Sequence, residues 1–93
     1  MTHREIVVIG ASAGGIPALT TLVAGLPPDF PASILVVVHI PPYAISRLPE
    51  ILTRSGLLPA THPEQGEAIE RGRIYVAPPD RHLLVRNRRI ELS

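Results

Sequence analysis

The chain has 93 residues, 45% of them apolar and only 3% aromatic, with nine basic and eight acidic side chains and a net charge of +1. That suffices for one small core-forming domain. It leaves no basic excess for nucleic-acid or membrane-surface binding and no aromatic platform for single strands. The lack of cysteine excludes disulfides, thiolate metal sites and a thiol nucleophile.

The opening Met-Thr-His-Arg-Glu leads into no signal-like apolar segment, and the longest apolar run, Ile34 to Val38, is too short to span a bilayer. The expectation is a soluble cytoplasmic domain without membrane insertion. Ile6-Val7-Val8-Ile9 is a β-branched run closed by Gly10, and Ile34 to Val38 repeats the pattern. Runs apolar on both faces belong to parallel strands covered by helices. The 24 residues between them are ample for a crossover. Within it Pro17 suits a first helical turn, Leu19, Leu22, Val23 and Leu26 recur with helical spacing, and Gly25 near the end is a stop signal. This is a β-α-β unit.

A second helix is expected from about Ser46 to Ser55, with Ser46 as its cap, Pro49 in its first turn and Gly56 as terminator. Pro59 to Arg73 reads as a polar loop with room for a short strand. Ile74 to Ala77 reads as a strand stopped by Pro78-Pro79-Asp80. Residues 82–85 and 90–92 flank Asn87 as a hairpin. The fold class is therefore α/β, a partial doubly wound, Rossmann-like parallel sheet with helices on its faces and a C-terminal hairpin. Two helices are too few to cover both faces of such strands. A bare apolar surface is expected, as in the first part of a larger domain or a chain that oligomerises.

The sharpest chemical signal is Gly10-Ala11-Ser12-Ala13-Gly14-Gly15, between the first strand and the first helix. A phosphate-binding P-loop needs Lys and Ser or Thr where Ile16-Pro17 stands. A dinucleotide fingerprint needs Gly at Ser12 and an acid at the end of the second strand, where His39 stands. G-x-S-x-G fits residue by residue, and would lift a serine hydroxyl above the sheet edge beside a helix N-terminus able to stabilise an oxyanion. His39 ends the second strand at the same sheet edge, as a general base would. Against this stands a reading in which Ser12 only caps the helix and His39 is a strand-end histidine. His3 and His62 read as exposed and silent. His82 and Asp80 read as turn residues, and Arg86, Arg88 and Arg89 as a solvated hairpin tip. No metal-ligand spacing is present, so no metal site is expected.

The three runs I-V-V-I-G-A-S-A-G-G-I-P-A-L, L-V-V-V-H-I-P and G-R-I-Y-V-A-P-P-D-R-H-L-L-V, in this order, resemble the catalytic domain of the chemotaxis protein-glutamate methylesterase (CheB-type) family. The resemblance implies a cytoplasmic serine hydrolase of bacterial chemotaxis signalling, without metal or organic cofactor. Its substrates would be the glutamyl methyl esters of methyl-accepting chemoreceptor signalling helices, with glutamine deamidation as a second reaction. It assigns Ser12 as nucleophile and His39 as general base. Ala13, Gly14 and Gly15 become the turn backbone of the oxyanion site, and Arg47 a substrate-proximal cation. The family's receiver domain would then sit on another chain. Its triad aspartate falls beyond the hairpin, so residues 1–93 are expected to be a truncated, slow esterase, or else a non-catalytic binding module that keeps the fold signature.

Overall fold

The computed structural model describes residues 5–39 and 41–93. In chain order these form β1 (Glu5–Ser12), a 3-10 turn (Ala13–Gly15), α1 (Ile16–Ala24), β2 (Ala32–His39), α2 (Pro42–Ser55), β3 (Ala60–Thr61), β4 (Ile74–Val76), β5 (Leu83–Arg86) and β6 (Arg89–Leu92). The first four strands make one parallel sheet in the order β1-β2-β4-β3, and β5 with β6 makes the antiparallel hairpin. The expected α/β architecture is present, with β2 at its centre.

Handedness explains the layering. The crossovers β1-α1-β2 and β2-α2-β3 advance in the same direction across the sheet, so right-handed connections put both helices on one face. The connection from β3 to β4 runs backwards and must cross the other face. Two cores follow. Leu19, Val23, Leu48 and Leu52 of the helices pack on Ile34 and Val36 of β2. On the other face Leu35 and Tyr75 are covered by Ile69 and by Ile90 of the hairpin. Burial lifts the Tyr75 phenol above its usual range, opposed in part by a hydrogen bond from the Glu70 N–H at 2.8 Å.

The hairpin does not reach β1. Ile6 is 39% and Val8 66% exposed on the face that β5 and β6 cover over β2 and β4. An apolar strand expected in mid-sheet therefore stands at the edge with one bare face, as the shortage of helices implied.

Two local expectations are corrected. The second helix starts at Pro42, with Pro41 at its N-cap, so Ser46 lies inside the helix and does not cap it. The helix can start there because Pro42 occupies a first-turn position whose N–H would have no helical partner; the Ala44 and Ile45 N–H groups both turn back to the Pro41 carbonyl. Pro49 consequently falls in the helix interior and removes one i to i−4 bond. The next turn is tied down by Thr53, whose hydroxyl donates to the Pro49 carbonyl at 2.8 Å and accepts from the Ala60 N–H at 3.0 Å, fastening α2 to β3. Gly56 does follow the helix, as expected. At the hairpin tip Asn87 and Arg88 both have positive φ, 52° and 63°, the backbone of a two-residue turn matched to strand twist.

Candidate active site

All four parallel strands end at the same edge, and the site is built there. β1 and β2 run in register over eight residues, and the final pair of that ladder is Ser12 with His39. Register partners in neighbouring parallel strands project to the same face. A hydroxyl and an imidazole that are 27 positions apart in sequence thus stand side by side at the strand ends. Both are exposed. No mutual hydrogen bond joins them among the described residues, an open geometry common in serine–histidine pairs without substrate.

Ser12 does not cap α1. The 3-10 turn separates it from α1, whose N-cap is Gly15, with no side-chain capping bond. The turn presents the backbone of Ala13, Gly14 and Gly15 beside Ser12, ahead of the positive end of α1. Gly15 is small for a packing reason, since a Cβ there would lie 3.3 Å from the Ala11 Cβ. A Cβ at Gly14 would meet nothing within 4 Å, so that backbone faces open space that a substrate can enter.

Two hollows flank the pair. On the Ser12 side a cleft of about 400 Å³ runs between β1 and α1, lined by Gly10, Gly15, Ala18 and Leu22. On the His39 side a cavity of about 470 Å³ lies between the end of β2 and the turn after β4, where Asp80, Arg81 and His82 meet Val37 and Leu83. In the sequence Asp80 and His82 read as turn residues. Their proximity to His39 comes from the pairing of β2 with β4, two strands not consecutive in the chain. Their turn character is also present: Asp80 has φ of 59°, and His82 exchanges main-chain bonds with Ser93.

The remaining candidates are dispersed. Arg47 is exposed on α2 and lines a groove with Glu50, Ile51 and Arg54, separate from the hollows of Ser12 and His39. His62 is a correction: it is half-buried at the end of β3, its Nδ1 3.0 Å from the Val76 carbonyl, because β3 ends against β4. His3 lies outside the described residues. At the hairpin tip Arg86 pairs with Glu91 at 3.3 Å, and Arg89 donates to the Gly66 carbonyl at 2.9 Å.

Comparison with known proteins identifies the family and the fold. The family profile described as CheB methylesterase matches residues 7–93. A protein-glutamate methylesterase/protein-glutamine glutaminase of Anaeromyxobacter dehalogenans is 43% identical over 81 residues, 87% of this chain and 24% of that protein. One from Thermotoga maritima is 42% identical over 79 residues, 85% of this chain and 23% of that protein. The crystal structure of the Thermotoga maritima CheB methylesterase catalytic domain superposes with a TM-score of 0.84 at 36% identity, covering 98% of this chain and 49% of that one. The chain spans about a quarter of the length of the curated relatives it matches.

Proposed function

The chain belongs to the CheB methylesterase family, and from that premise we propose that Ser12 and His39 are the nucleophile and general base of a serine hydrolase acting on glutamyl methyl esters of a protein. The observation that carries this reading is their pairing as the last register partners of adjacent parallel strands. Ser12 Oγ attacks the ester carbonyl while His39 takes the hydroxyl proton. The developing oxyanion is received by N–H groups of the turn over Ala13–Gly15, a contribution of roughly 3–4 kcal/mol per well-placed donor. The proton on His39 passes to the methoxy oxygen and methanol leaves. Water, deprotonated by His39, then cleaves the glutamyl ester of Ser12 and restores the serine. A glutaminyl side chain follows the same course with ammonia as leaving group, in keeping with the double name of the relatives.

The substrate protein would be a cytoplasmic signalling helix of a methyl-accepting chemoreceptor. It would enter from solvent, since both reacting side chains are exposed. His39 also requires a carboxylate to fix its tautomer, and the family resemblance places that aspartate beyond the hairpin. Loss of that carboxylate should slow turnover by on the order of 10⁴. The test is labelling by a fluorophosphonate together with methanol release from a methyl-esterified receptor fragment. Ser12→Ala should abolish both, and His39→Gln should slow labelling strongly. Labelling that persists in Ser12→Ala, or a folded chain that never labels, overturns the assignment and favours the non-catalytic module.

A further inference from the structure

We infer that Arg81 is a carboxylate receptor beside the reacting centre, holding an acidic residue of the substrate protein next to the glutamyl group under attack; this rests on the esterase reading above. The register puts it there. Val36 pairs with Val76, and the Ala77 N–H continues that ladder to the Val36 carbonyl. Three residues beyond Val36 is His39, and three beyond Val76 is Pro79, so the turn that follows emerges alongside His39. The two segments line one cavity.

The neighbours of Arg81 are accounted for by the fold, and Arg81 is not. Asp80 holds a left-handed backbone, φ 59°, which Asp and Asn tolerate best among non-glycine residues. His82 bonds through both its N–H and its carbonyl to Ser93, at 2.9 and 3.1 Å, and so extends the hairpin. The Arg81 main chain is fixed between these anchors, its N–H reaching the Pro78 carbonyl at 3.3 Å. Its side chain is exposed and in no ion pair among the described residues, whereas Arg73 pairs with Glu70 and Arg86 with Glu91. It is the one arginine lining the His39 cavity among the described residues. A permanent cation with a forked donor set, presented on a rigid turn beside apolar Val37 and Leu83, suits a carboxylate.

The reaction supplies such carboxylates. Each turnover converts a neutral ester into an anion, so a substrate with several esterifiable glutamates gains acidic neighbours as it is processed. Asp80, on the same rim, repels that anion, and the two charges predict effects of opposite sign.

The test is anisotropy binding of two labelled peptides to the Ser12→Ala chain, each holding one glutamyl methyl ester, flanked by glutamates in one and by glutamines in the other. Arg81→Gln should weaken the glutamate-flanked peptide about tenfold, the size of one charge-assisted contact, and leave the other unchanged. Arg81→Lys should restore part of the loss. Asp80→Asn, compatible with the same backbone, should tighten the acidic peptide, and added salt should erase the difference. Equal weakening of both peptides by a folded Arg81→Gln chain, or no weakening, overturns the inference. Charge discrimination without fluorophosphonate labelling of the Ser12 chain would sink the esterase reading and leave the Arg81 site standing. Labelling without discrimination would do the reverse.

Discussion

Gly56 offers a direct test of how the two helices are seated. It follows α2 where that helix ends against the last turn of α1, and its φ of −152° is extended backbone open to any residue. What requires glycine is room: a Cβ there would lie 2.5 Å from the Val23 carbonyl oxygen and 3.1 Å from the Val23 carbonyl carbon. Ordinary contact begins near 3.4 Å, so Gly56→Ala forces a separation of about 0.9 Å against a backbone atom that no rotamer change can move. Overpacking of this kind costs roughly 1–3 kcal/mol. Against a rigid backbone atom the cost falls in the upper part of that range, about 2–3 kcal/mol, and the alanine recovers at most about 1 kcal/mol by restricting the unfolded chain, leaving a net loss of at least roughly 1–2 kcal/mol. With an unfolding entropy of about 2.1 cal/mol/K per residue, a chain of this size should lose about 5–10 °C in Tm. Circular dichroism melts measure it. Because the clash lies at the amino edge of the sheet, away from Ser12, fluorophosphonate labelling well below the Tm should be unchanged. A Gly56→Ala chain melting within 2 °C of the parent (on the order of 0.4 kcal/mol) would refute the close approach of α1 and α2.

Two further outcomes are expected. The bare face of β1 should bind an apolar fluorescent dye or drive self-association, and Val8→Lys should reduce both, since Val8 is 66% exposed and has little packing to lose; a dye-silent monomer would contradict it. Stability should also fall at high pH. The Tyr75 phenol ionises near 10.0 in the unfolded chain and higher in the folded one, so its contribution is full below that value and lost as pH climbs towards the raised folded value. Tyr75→Phe should flatten this alkaline limb, at a neutral-pH cost of about 1–3 kcal/mol for the stranded Glu70 N–H. An alkaline limb identical in both chains would remove the argument.

The part of the site that was legible in the sequence is the part built by consecutive elements. Ser12 and His39 close two strands of one β-α-β unit, and a right-handed crossover brings their ends together whatever the rest of the fold does. The strand interiors were legible from β-branched runs, while the ends were not: Gly10 and Ala11 have little strand propensity, yet β1 extends through them to Ser12 because β2 pairs with it throughout. The start of α2 was hidden by Pro41-Pro42-Tyr43, which reads as a loop although proline is at home in a first helical turn. The placement of Arg81 depends on β4 inserting between β2 and β3, a choice made by packing and not by any local pattern.

Among the described residues β1 has one neighbour. The outward amides of the strand that carries Ser12 are held by no ladder partner among the described residues, whereas β2, which carries His39, is bonded on both sides. Hydrogen exchange should therefore find β1 opening at a lower free energy than β2. Each opening dismantles the register that sets Ser12 against His39, so the proposed pair keeps its geometry only as long as that ladder is closed. Conditions that fray this edge before the core melts should therefore silence Ser12 labelling ahead of global unfolding.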